Sequence, residues 1–186
     1  MDNSFVMEYT FRNGNREKTT TIRLDADALR IITGDIFRSV GYDEIIEVRL
    51  NHKKNLYFMI VTTLDEGVLK VTNYTYDHTG KRIDQSRAYM TFVRVLHVHL
   101  AEKSKAVFQT GSDVSTLMLR VLFIIGISAL CFIIAGYYNL LPEKPVFILA
   151  LFALPAVFLI HTLRVSQWPK TYSSINVPIH LLPPAA

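Results

Sequence analysis

Six histidines, one cysteine and two adjacent carboxylate pairs are the residues of this 186-residue chain whose types could carry chemistry. His52, His78, His97, His99, His161 and His180 are scattered. His97 and His99 stand two apart in a helical stretch, whereas metal-binding pairs on a helix share a face at spacings of about three or four. Cys131 is solitary and lies inside an apolar run, so neither a metal cluster nor a disulfide framework is expected. Asp43-Glu44 and Asp65-Glu66 fall in turns and read as solvated loop carboxylates. Gly34, Gly41 and Gly80 are isolated, without the run that cradles a phosphate. A polar group within a membrane can be a proton or ion site, but His161, one turn from Arg164, reads as a side chain that snorkels to the interface. No catalytic, metal or cofactor site is expected, and the chain is not expected to be an enzyme.

One basic group is open to a ligand. Arg12, Arg16, Lys18 and Arg23 line the first predicted hairpin, and His52-Lys53-Lys54 makes a second basic loop. An anionic leaflet attracts such residues by about 1 kcal/mol per cation near the surface. Arg12, Arg16, Lys18 and Lys53 are therefore candidate contacts to a lipid headgroup. Glu17 interrupts the cluster, and a solvated basic rim is the alternative. Asn73-Tyr74-Thr75 matches a glycosylation acceptor, but is expected to stay unmodified on a cytoplasmic domain.

The elements that position these residues divide the chain in two. Val121–Leu141 and Val146–Leu163 are apolar runs joined by Pro142-Glu143-Lys144-Pro145. Each is long enough to cross the ~30 Å hydrocarbon core, which takes roughly 20 helical residues. A transmembrane hairpin is expected, with helices over 120–141 and 146–165, an external turn at 142–145 and a connector at 106–119. Pro155 should kink the second helix. Met1-Asp2-Asn3-Ser4 lacks signal-peptide character, so the hairpin is expected to direct insertion. The net charge of +4 splits as sixteen Lys/Arg against fifteen Asp/Glu in residues 1–116, and Arg120, Lys144, Arg164 and Lys170 against Glu143 beyond. The folded part is thus nearly neutral, which excludes a nucleic-acid partner. Lys105 and Arg120 before the hairpin, and Arg164 and Lys170 after it, place both termini in the cytoplasm of a two-pass protein of the plasma (inner) membrane.

Residues 1–105 read as short strands. Phe5–Arg12 alternates apolar and polar, Asn13-Gly14-Asn15 turns with glycine supplying positive φ, and Thr19–Leu24 returns. Ala28–Thr33, Ile36–Val40, Glu44–Leu50, Leu56–Thr63 and Val68–Thr72 follow, with Asn51–Asn55 a polar loop and Leu64-Asp65-Glu66-Gly67 a hairpin turn. From Gln85 to Lys103 the period changes: Tyr89, Phe92, Val93, Leu96 and Leu100 form a helical stripe, with Asp84 or Ser86 placed to cap it.

Leu24-Asp25-Ala26-Asp27-Ala28-Leu29-Arg30-Ile31, followed by Gly41-Tyr42-Asp43-Glu44-Ile45-Ile46-Glu47-Val48, resembles the run of a pleckstrin-homology-like domain. Residues 4–103 share its order of elements, and the whole chain resembles bacterial proteins that fuse such a domain to a transmembrane hairpin. The resemblance implies an α+β fold with a membrane part: a seven-stranded antiparallel barrel capped by a C-terminal helix, then the helical hairpin.

Small residues let helices approach closely in lipid. Gly126, Ala129, Gly136, Ala150, Ala153 and Ala156 are the candidate packing positions, either within the hairpin or against a partner. In the tail, 166–186, Ile175, Val177 and Ile179 alternate with polar residues and are the candidate docking positions, on the chain's own domain, the bilayer surface or a partner. The expected function is a non-enzymatic scaffold or accessory subunit of a membrane assembly, with other subunits or further copies as partners. A sensor of anionic lipid is the alternative, and transport or proton conduction by oligomers around His161 a weaker one.

Overall fold

The computed structural model describes residues 7–65, 67–112, 114–137, 153, 155, 157, 160 and 168–184. Two compact units emerge: one combines Met1–Thr110 with Thr171–Ala186, the other is Gly111–Lys170.

The first unit begins with a four-stranded antiparallel meander: β1 (Met7–Phe11), β2 (Thr20–Leu24), β3 (Ala28–Thr33) and β4 (Ile36–Gly41). Its alternation is physical: Tyr9, Phe11, Ile22, Leu24 and Leu29 point into the core while Glu8, Arg23 and Arg30 point out. Met7 pairs with Leu24 and Phe11 with Thr20, a register that puts all inward residues on one face. The turn into β4 depends on Gly34 at φ 59; a Cβ there would meet the Lys18 side chain at 2.7 Å. Gly14 does not take the positive φ expected of it, and the loop from Arg12 to Thr19 is closed by the Glu17 amide on the Gly14 carbonyl.

A single-turn 3₁₀ segment, Tyr42–Glu44, leads into β5 (Ile45–Lys53), β6 (Leu56–Thr63) and β7 (Val68–Thr72). β5 runs on through Asn51, His52 and Lys53, which were expected in a loop; the turn tightens to Lys54-Asn55, with Lys54 at φ 57. A bulge between Ile45 and Glu47 shifts the register against β6. β8 (Tyr74–Tyr76) and β9 (Arg82–Asp84) make a separate two-stranded sheet. Helix α1 (Ser86–Lys103) then buries Tyr89, Phe92, Val93, Leu96, His97 and Leu100, the predicted stripe with His97 added. Tyr9 stacks on Phe92 at 5.2 Å, and His99 stacks on Tyr42 at 5.5 Å. The far end of α1 is tied down by Lys103 on the Ala26 carbonyl and Ser104 on the Ile45 carbonyl.

Two strands come from segments that carried no strand pattern. β10 (Val107–Thr110) pairs in parallel with β5, and β11 (Lys170–Thr171) pairs outside it, so the second sheet runs β11-β10-β5-β6-β7. The expected seven-stranded closed barrel is thus corrected. Eleven described strands lie in sheets of four, five and two, and no barrel closes. Alternation marks which face of a strand is buried but is silent about which edge meets which, and β10 takes the edge of β5, with β11 outside it, by tertiary pairing alone.

The expected two-helix hairpin is corrected as well. Among the described residues one helix, α2 (Val114–Tyr137), is long and apolar enough to cross a membrane. It starts before the predicted position and at about 1.5 Å per residue is longer than the ~30 Å hydrocarbon core. The turn at 142–145 and most of 146–165 lie outside the described residues; Ala153, Pro155, Val157 and Ile160 are helical. A hydropathy run measures side-chain transfer, not backbone continuity.

Asn73 links the sheets to α1. Its Oδ1 accepts the Tyr57 amide at 3.0 Å, and its Nδ2 donates to the Ser86 hydroxyl at 2.9 Å. Its backbone carbonyl accepts the Gln85 amide at the start of α1, whose N-cap makes no side-chain bond of its own. Asp84 and Ser86, the predicted caps, bond to each other instead at 2.6 Å. Asn73 is 1% exposed, so its amide is inaccessible to glycosylation in the folded chain. Asn73→Ala leaves buried donors and acceptors unpaired and is expected to cost about 1–3 kcal/mol, read as a lower midpoint in chemical denaturation of the full chain in detergent.

Candidate functional site

Three features of this chain have the geometry to bind: the apolar helix α2, the basic loops and the C-terminal tail. α2 carries Arg120 as its only charged residue. Only 6% of its 18-residue most apolar window is buried. Met118, Leu119, Leu122, Phe123 and Ile133 are exposed along it, a surface far more continuous than a soluble domain leaves uncovered. Its one interior hydroxyl with a polar need, Ser128, is satisfied by donating to the Ile124 carbonyl at 2.7 Å. Hydrocarbon suits such a helix because the backbone groups between its end turns are paired within it.

Of the small packing positions, Gly126 and Gly136 have, among the described residues and apart from their own helix backbone, nothing within 4 Å of where a Cβ would sit, and Ala129 and Ala153 are exposed. Ala150 and Ala156 lie outside the described residues, as does His161.

The basic candidates occupy separate settings. Arg12 is half-buried, with its amide donating to the Thr75 hydroxyl at 2.9 Å and its Nε buried without a partner. Arg16 is exposed. Lys18 stands 3.9 Å from Asp35 across the β3–β4 turn. Arg23 is paired with Glu8 at 2.8 Å, which removes it from any headgroup cluster. Lys53 is exposed at the end of β5, beside the His52–Tyr57 stack. These loops supply cations one at a time.

The tail is fastened to its own unit by a clasp. The Tyr172 amide donates to the Phe108 carbonyl at 3.0 Å, and its hydroxyl lies 2.9 Å from His97 Nε2. On the other side of the ring, His97 Nδ1 lies 2.7 Å from the Val93 carbonyl. A carbonyl only accepts, so Nδ1 carries the proton and Nε2 accepts from the Tyr172 hydroxyl. Burial holds the His97 pKa down to about 4 and pushes the Tyr172 phenol up. Both residues missed by sequence reasoning, His97 and Tyr172, are ordinary by type; the only signal was His97 falling beside the apolar stripe of α1.

Beyond the clasp, Leu181 and Leu182 are buried in the core and Val177 packs against it. Of the three candidate docking positions in the tail, Val177 is partly buried against the chain's own core, while Ile175 and Ile179 are 84% and 82% exposed.

A cleft of about 760 Å³ beside the start of α1 completes the inventory, lined by Asn55, Tyr57, Arg82, Asp84, Arg87 and Pro184 among others. Arg82 covers the Tyr74 ring at 4.2 Å, and Asp84 offsets the positive charge. Among the described residues no three His, Cys, Asp or Glu side chains converge to hold a metal.

No protein-family model and no curated protein matches the chain.

The His97 geometry fixes a pH dependence. The folded pKa of about 4 lies below the ordinary 6.5, so the unfolded chain binds the extra proton between those values. The neutral imidazole's contribution is complete above pH 6.5 and is lost as pH falls toward 4. Stability is expected to drop by about 2 kcal/mol between pH 7 and pH 5 from this group. Denaturation midpoints at the two pH values check it: His97→Gln, which cannot titrate there, should show a distinctly shallower loss than the native chain.

Proposed function

We propose that the chain is a membrane-attached scaffold or accessory subunit, with the β unit as the binding module and α2 as the attachment and packing element. The observation that carries the reading is the exposure of α2, a 24-residue helix with one charge and an uncovered apolar surface. Such a helix requires lipid, partner helices or both. Gly126 and Gly136 leave open positions at which another helix backbone can approach closely. The β unit, with its sheets and the packed helix α1, is the folded part that can serve as the binding module.

In this reading the β unit lies on the cytoplasmic side of the inner membrane, which Lys105 and Arg120 before the apolar core of α2 support.

The test is the assembly state of the full chain purified from membranes in mild detergent, with light scattering for mass and thiol cross-linking through the exposed Cys131. A complex larger than one chain is expected, and Gly126→Leu with Gly136→Leu should reduce it to a monomer without changing the fold of the β unit. A native chain that is purely monomeric, without partner or cross-link, overturns the proposal.

A further inference from the structure

We infer that Ile175 and Ile179 seat the β unit on the bilayer surface by entering its interfacial layer from a loop that the tail holds in place. They are the most exposed large apolar side chains among the described residues of this unit, at 84% and 82%, ahead of Ile36 and Val68 at 66%. Their exposure is not that of a loose end. Tyr172 is clasped to His97 on one side, Val177 packs on the core between them, and Leu181 and Leu182 are buried on the other side. Within the loop the Asn176 amide bonds the Ser173 carbonyl, and the 3₁₀ turn Ile179–Leu181 is closed by the Leu181 amide on the Pro178 carbonyl at 2.9 Å. The two isoleucines are held outward by a frame that buries its other apolar residues.

The occupant follows from the sequence around them. Ile175 lies five residues after Lys170, the end of the insert, and a chain reaches at most about 18 Å over that distance. The last acidic residue of this sequence is Glu143; the stretch from Lys144 to Ala186 carries Lys144, Arg164, Lys170 and two histidines, and no carboxylate side chain. An apolar tip without acids, close along the chain to a membrane insert, fits an anionic leaflet, whose headgroups attract cations and whose upper acyl layer accepts aliphatic side chains. The inference rests on the reading of α2 as membrane-embedded.

The experiment uses the full-length chain with Trp168→Phe, reconstituted in phosphatidylcholine–phosphatidylglycerol vesicles. Single variants Ile175→Trp and Ile179→Trp report on the loop, and Ile36→Trp on an exposed strand serves as the aqueous reference. For the two tail variants, a blue shift and a loss of emission with lipids carrying a doxyl group near the headgroup are expected, with little loss from iodide. Iodide quenching equal to that of Ile36→Trp overturns the inference, and protection from both quenchers overturns it in favour of a protein contact. Alkaline carbonate washing separates the two levels. A chain extracted from the vesicles removes the membrane reading and this inference together; a retained chain with iodide-quenched tail tryptophans removes only the seating.

Discussion

The return of the chain to Tyr172 is the constraint on which the rest of the structure depends. Its amide pairs with Phe108 and its hydroxyl with His97, so one residue joins the edge of the larger sheet to the buried face of α1. The aromatic rings of His97, Phe108 and Tyr172 pack within 6 Å of one another around the part-buried bond between His97 and Tyr172. Because of this clasp, the apolar insert is a loop of the β unit in the topological sense and not an appendage. A domain closed in this way cannot release one end of the insert without exposing Leu181, Leu182 and a buried histidine.

The polar interior is likewise organised around a few residues. Asn73 serves β6, the β5–β6 turn and the start of α1. Tyr9 puts its hydroxyl on the Thr72 carbonyl at 2.6 Å while its ring stacks on Phe11 and Phe92. These bonds decide how α1 sits on the sheets, since its apolar stripe alone would allow it to slide or rotate against a greasy surface. Burial supplies the driving force and the polar contacts supply the register.

Much of the β unit was legible. Ala28–Thr33, Leu56–Thr63 and Val68–Thr72 are strands with the bounds that alternation and turn residues indicate, and α1 follows its stripe of Tyr89, Phe92, Val93, Leu96 and Leu100. Local chemistry sufficed there because each element buries one face and is bounded by a turn. It did not suffice for Asn51–Lys53, a polar stretch that stays in β5 because β6 pairs with it, nor for β10 and β11, which have too few residues to show a period. The candidate surface was legible in part: α2 announced itself by hydropathy, but the basic residues of the first hairpin, adjacent in sequence, go to different neighbours.

The tail shows most clearly where the two kinds of information divide. Alternation of Ile175, Val177 and Ile179 identified an apolar segment, and side-chain transfer energies are enough for that. The sequence by itself also determined the helical period of α1, the meander strands, the near-neutral balance of residues 1–116 and the apolar nature of α2. Only the tertiary structure decided that Val177 turns inward and the two isoleucines outward, that His97 is a neutral core residue and that the sheets do not close into a barrel. Those outcomes rest on contacts between residues far apart in sequence, such as His97 and Tyr172, 75 positions apart, and periodicity along the chain holds no record of such distances.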